Sequence, residues 1–243
     1  MASFPKLTLY RANGSCAFVP HSVLRELGIP FTAVRMTMGA GGLWEAADGT
    51  LSHAEYRRTV NALGVIPSLK VEAADGAVAV ITEMPAVLTY IASLAPTAGD
   101  AQHIAGKTAV ARALAVSWLA FLSGQLHGRG YGGLWRPRRY VDGARYPDAE
   151  KLVIAGGRVS IAECYALIEA RLPAADTGFA LGALETQPSL VDFNVYLFYR
   201  WGVENRFDMD TYPRYTRLAR AMETRESVKK AIEVEELDFK FPV

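Results

Sequence analysis

The stretch Asn13-Gly14-Ser15-Cys16 puts one of the chain's two cysteines directly after a turn signal and ahead of a helical pattern. Leu7-Thr8-Leu9-Tyr10 alternates as a strand does. Val23, Leu24 and Leu27 then keep helical spacing up to Gly28, so Ser15 and Cys16 fall where a helix begins. Helix starts expose N–H groups and the positive end of the dipole, which stabilise a thiolate, whether a cysteine's own or a bound ligand's. Position alone leaves a second reading open, in which Ser15 only caps the helix and Cys16 only fills space. Val65-Ile66-Pro67 leads into a strand, where proline removes a donor; a cis bond there would open the Ile66 backbone to an extended peptide. Thr82-Glu83-Met84 precedes a helix with Pro85 in its first turn. Glu83 either favours that helix electrostatically or holds a ligand ammonium while nearby N–H groups hold a carboxylate.

Other motifs carry less. GRGYGG at 128–133 matches G-x-G-x-x-G but follows a helical stripe, without the βαβ setting that makes the motif a phosphate cradle. The histidines at 21, 53, 103 and 127 have no metal-ligand spacing with each other or with cysteine, so no metal is expected. The run Trp135-Arg136-Pro137-Arg138-Arg139-Tyr140 mixes basic and aromatic residues, as nucleic-acid surfaces do. In a chain of net charge +1 it reads as a solvated loop, whose arginines would suit an anionic substrate; no nucleic-acid or membrane partner is expected.

The elements that must position these residues divide near residue 95. Before it the order is β-α-β, then α, then β-β-α, with strands at 7–10, 31–36, about 68–72 and about 77–81, and a Gly- and Ala-rich loop at 38–50. A four-stranded mixed sheet with helices follows from this order. Residues 96–103 have linker composition. Beyond them Val110, Leu114, Trp118 and Phe121 form one helical stripe, and Ile161, Tyr165, Ile168 and Leu172 another. Ser189 and Asp192 stand at capping-box spacing, and a last helix opens at Pro213 and carries Leu218, Met222, Val228 and Ile232. The fold class is α/β plus all-α, with domains at 1–95 and 104–243. Two cysteines and the absence of a leader-like N-terminus fit a reducing, cytoplasmic setting. Cys164 reads as core packing.

Taken together these pieces resemble the glutathione transferase superfamily. Asn61-Ala62-Leu63-Gly64-Val65-Ile66-Pro67 is similar to its N-P-x-G-x-V-P stretch, and Thr82-Glu83-Met84-Pro85-Ala86-Val87 to its T-E-S-x-A-I stretch. Ser189-Leu190-Val191-Asp192 matches the capping box of its helical domain. A cysteine five residues before a histidine (Cys16, His21) and the segment WLAFLSGQLHGRG look most like the bacterial beta class. The resemblance implies a thioredoxin-like first domain, a C-terminal helical bundle and a homodimer. It implies glutathione as co-substrate, its cysteinyl unit paired with the backbone at Val65 and Ile66 across a cis Pro67. Glu83 and the N–H of Met84 would grip the γ-glutamyl end, with Ser15, Cys16 and His127 at the sulfur. Met84 stands where the family has a small residue, so contact there falls to the backbone and Glu83.

Lowering a thiol pKa by about two units takes roughly 2.7 kcal/mol. A helix end supplies up to about 2 kcal/mol, and each hydrogen bond to a charged group about 1.5–3 kcal/mol. One helix end and one or two donors therefore suffice. Three functions stay open: conjugation of glutathione to an electrophilic small molecule, Cys16-dependent thiol–disulfide transfer, and a non-catalytic regulatory or assembly role. His127 would lower the pKa of Cys16 or shuttle a proton.

Overall fold

The computed structural model describes residues 4–97, 103–174, 178–182 and 187–241. Of the expected linker at 96–103, residues 98–102 lie outside the described residues. Residues up to 105 together with those from 221 onward form one compact unit, and 106–220 form another.

The first unit is built on a five-stranded sheet of order β3-β2-β1-β4-β5. Its strands are β1 (Lys6–Arg11), β2 (Thr32–Met38), β3 (Trp44–Ala46), β4 (Ser68–Glu72) and β5 (Val78–Thr82). β1 pairs parallel to β2 and antiparallel to β4, which makes the sheet mixed. Four strands match the sequence reading; the fifth, β3, lies in the segment read as a loop. Three residues are too few to show an alternation, and pairing to β2 is what orders them. Alternation along β1 buries Leu7 and Leu9 on one face, while Tyr10 and Ala12 join Met36, Ala46, Tyr56 and Ile66 on the other. Helices α1 (Phe18–Glu26), α2 (His53–Thr59) and α3 (Met84–Ser93) flank the sheet. A capping box of Ser52 and Glu55 starts α2.

In the second unit, α4 runs continuously over Ala109–Trp135 and is π-helical at Leu122–Tyr131. Its buried side chains include Ala111, Ala115, Trp118, Leu119, Leu122, Leu126 and Tyr131. Val110 and Leu114, expected on the buried stripe, are exposed, because alanines instead of the larger side chains face the neighbouring helices. By length and apolarity α4 also fits a membrane span, a test that core helices pass as well. α5 (Pro147–Arg171) buries Ile161, Tyr165 and Ile168, with Leu172 just past its end, as the stripe predicts. The GRGYGG glycines have a packing role here. A Cβ on Gly157 of α5 would stand 2.7 Å from the Leu134 nitrogen and 2.9 Å from the Gly130 carbonyl oxygen, so the two helix backbones touch only because glycines meet. α6 (Leu190–Glu204) opens with the expected capping box, Asp192 accepting from the Ser189 N–H at 2.7 Å.

The single C-terminal helix of the sequence reading is two, α7 (Pro213–Glu223) and α8 (Glu226–Val234). α8 packs on α1 within the first unit, where Arg225 and Ser227 both bond the Glu26 carboxylate.

Candidate functional site

Strand register brings three turns to one end of the first unit's sheet. Tyr10 of β1 faces Ser68 of β4, and Ser68 faces Thr82 of β5. The chain leaving β1, the residues entering β4 and those leaving β5 therefore share that end. Ser15 and Cys16, then Val65, Ile66 and Pro67, then Glu83 and Met84 are gathered there. His127 lies in the second unit, on the π-helical stretch of α4.

The cysteine turn differs in detail from the sequence reading. α1 begins at Phe18, and its cap position is Ala17, with no side-chain cap. Ser15 instead secures the preceding turn: its hydroxyl donates to the Ala12 carbonyl at 2.7 Å and accepts from the Ala17 N–H at 3.2 Å. The Cys16 thiol, partly exposed, donates to the Ile66 carbonyl at 3.4 Å. That contact joins the first turn to the second, where the Ile66–Pro67 peptide is cis.

Side chains that the sequence reading passed over hold this second turn. The Tyr56 hydroxyl donates to the Val65 carbonyl at 2.8 Å, so the Ser68 hydroxyl, 2.9 Å away, must donate to Tyr56. Asn61 completes the set, its amide donating to the Val65 carbonyl at 2.8 Å and to Ser68 Oγ at 3.2 Å. All three side chains are buried. Burial pushes the Tyr56 phenol up to about 12, so it stays a donor. The one signal for Tyr56 in the sequence is an aromatic residue on an otherwise polar helix.

Glu235 fixes the first turn. Fully buried, it accepts from the Gly14 N–H at 2.8 Å and sits 2.7 Å from Nδ1 of His21. Nε of Arg25 donates to Nε2 of His21 at 2.9 Å, so that nitrogen is unprotonated and Nδ1 carries the hydrogen donated to Glu235. Burial, more than any neighbour, lowers the His21 pKa and keeps this neutral tautomer. His21 is thus a structural link.

At the third turn Glu83 is exposed and adopts φ 67°, ψ 122°, a left-handed conformation rare for residues other than glycine and one that costs of order 1–3 kcal/mol. Met84 buries its side chain, so only its backbone is available at the helix start. Such strain concentrates where a ligand is gripped.

In the second unit the His127 ring lies 6.1 Å from Phe198 and 5.3 Å from Trp201 between centroids. Burial first, then the Arg136 and Arg139 guanidiniums, lower its pKa to about 4. Near pH 7 it is therefore neutral. Cys164 is buried, and desolvation raises its thiol pKa. Among the described residues no group of three His, Cys, Asp or Glu is placed to hold a metal.

No family model matches the chain. Glutathione S-transferase GstA of Escherichia coli O157:H7 is 28% identical over 131 residues, a stretch covering 54% of this chain and 57% of that protein. A sphingomonad glutathione S-transferase solved in complex with glutathione is 25% identical, with a TM-score of 0.72 over 95% of this chain and all of that one. A glutathione transferase homologue from Sulfitobacter with bound glutathione, 21% identical, superposes with a TM-score of 0.77 over 96% of this chain and 99% of that one. The chain thus shares the fold of the glutathione transferases and is similar to them in sequence over about half its length, likenesses that support the superfamily and fix no single class.

Proposed function

We propose that this chain is a glutathione transferase of beta-class type, binding glutathione in its first unit and activating the thiol for attack on an electrophilic small molecule. The observation that carries the reading is the convergence of the Cys16 turn, the cis Ile66–Pro67 peptide and the strained Glu83 turn at one end of the sheet. The backbone of Val65 and Ile66 lies just outside the β4 ladder and pairs with the cysteinyl unit of the tripeptide. Glu83 and the Met84 N–H hold the γ-glutamyl ammonium and carboxylate.

At the sulfur, Ser15 already spends its proton on Ala12, so the donor role falls on Cys16. A thiol that donates to a carbonyl is protonated, which favours Cys16 as donor over Cys16 as nucleophile. The bound thiolate forms a carbon–sulfur bond with the electrophile, the leaving group departs with its electron pair, and the thiol proton goes to solvent. His127, neutral, serves as a hydrogen-bonding group. A homodimer in the cytoplasm completes the reading.

The test combines glutathione-affinity binding, conjugation to an aryl halide, and intact mass after exposure to oxidised glutathione, with Cys164→Ser as control. Binding by the wild type, no covalent adduct, and conjugation reduced about tenfold or more in Cys16→Ala support it; one lost charge-assisted donor is worth that much. One glutathione added per chain, abolished in Cys16→Ser, would transfer the reading to thiol–disulfide exchange. Neither binding nor adduct would leave the non-catalytic role.

A further inference from the structure

The first unit holds a cavity of about 550 Å³ between the last turn of α1, the start of β2 and the first turns of α8. Its size is that of a small-ligand site, within about 300–1,000 Å³. α1 starts beside the Cys16 turn and runs away from it, and β2 enters the sheet with Thr32 opposite Thr8 of β1. The cavity therefore lies toward the other end of the sheet from the three gathered turns. Its floor is apolar, with Leu24 and Ile29 buried and Pro30 and Ala33 at the rim.

One guanidinium faces this floor, and its orientation is fixed. Nε of Arg25 donates to Nε2 of His21 at 2.9 Å, and Nδ1 of His21 donates in turn to the buried Glu235. The guanidinium carbon stands 5.8 Å from the centre of the Phe31 ring. Nε is thus spent, while the terminal Nη1 and Nη2 groups have no acceptor, and Arg25 no ion-pair partner, among the described residues. The neighbouring carboxylates are committed elsewhere. Glu26 takes Arg225 and Ser227, Glu226 takes Lys229 at 2.9 Å, and Glu233 takes Lys230 at 3.0 Å.

We propose that this cavity binds a small aliphatic monocarboxylate, its two oxygens on Nη1 and Nη2 of Arg25 and its chain along Leu24, Ile29 and Phe31. The paired terminal N–H groups of a guanidinium match a carboxylate bidentately, and a guanidinium already oriented by His21 has less freedom to lose on binding. The chain adds apolar burial. Glu226 and Lys230 line the α8 side with opposite charges, so a second anionic group gains nothing there. The proposal is independent of the glutathione reading, and its test contains no glutathione, so either can fail alone.

Calorimetric titration of the full chain with hexanoate, its uncharged counterpart hexanamide and acetate is the experiment, with backbone amide NMR to locate the ligand. The wild type should bind hexanoate about tenfold or more tightly than hexanamide, as expected when a charge-assisted hydrogen bond is present in one ligand only. Acetate, four methylenes shorter, should bind about tenfold or more weakly than hexanoate. The amides that shift should fall within 24–33 and 226–230. Arg25→Gln should remove the preference for the acid and leave hexanamide affinity unchanged. Because Arg25 also bonds His21, Ala33→Glu is the second variant: Ala33 is exposed, so the fold and that bond are kept, and the added carboxylate should weaken hexanoate severalfold with little effect on hexanamide. Equal affinity for acid and amide, a preference that survives Arg25→Gln or Ala33→Glu, acetate binding as tightly as hexanoate, or amide shifts confined to other residues would overturn the proposal.

Discussion

His21 and His127 are both held unprotonated, and the two regions do it in opposite ways. Around His21 the charges are matched: Arg25 donates to one ring nitrogen, Glu235 accepts from the other, and Arg11 stands 3.8 Å from the same carboxylate. Around His127 there are aromatic rings and guanidiniums. The first arrangement fixes geometry, because each group has one place where its partners are satisfied. The second works mainly by desolvation, with the guanidiniums adding to it. The cysteine turn therefore depends on a matched buried network, whereas His127 depends on its surroundings excluding water.

The sharpest break of this contrast is Glu235→Ala. It leaves the Gly14 N–H and His21 without their buried acceptor and should cost about 3–5 kcal/mol in urea unfolding, with glutathione binding lost even under conditions where the variant folds. If stability and binding survive, the matched network is not what holds the turn.

Next in size is the acid limb of stability. The folded-state pKa of His127, about 4, lies below its ordinary 6.5. Its contribution is therefore complete above about pH 6.5 and is lost as pH falls through about 4. At roughly 1.4 kcal/mol per pKa unit the loss is at most about 3 kcal/mol. The stability difference between wild type and His127→Gln should shrink by that order between pH 7 and 4, and an NMR titration should place the His127 midpoint near 4. A midpoint near 6.5 would mean that burial and the arginine field do not act on the ring.

The smallest effect expected is Tyr56→Phe, which removes one donor from the Val65 carbonyl and one acceptor from Ser68. About 1–3 kcal/mol of stability should go. Because Tyr56 positions the Val65–Pro67 backbone and does not reach the sulfur in the proposed mechanism, KM for glutathione should rise while kcat holds. A change in kcat alone would place Tyr56 in the chemistry instead.

Much of this site was legible early. Cys16 after Asn-Gly-Ser, Pro67 at the start of a strand and Glu83 ahead of Pro85 are local signals, each set by what a turn or helix start requires of the backbone. The Ser189–Asp192 capping box formed as spaced, with the shorter aspartate still reaching the Ser189 N–H. The alternative in which Ser15 caps α1 fails, because its pattern fits both a helix start and the turn before one, and only the backbone path after Cys16 separates them.

Local pattern thus determined the alternation of β1, the helical stripe of α5 and the α/β-then-helical order of elements, because neighbours in sequence dictate φ, ψ and which face is apolar. Tertiary structure alone decided the rest. Glu235 reaches Gly14 across 221 residues of chain, Tyr56 becomes an anchor only once α2 lies against the turn before β4, and β3 exists only because β2 supplies its hydrogen bonds. A buried polar group must find partners wherever the chain brings them, and no spacing in the sequence records which distant residue that will be.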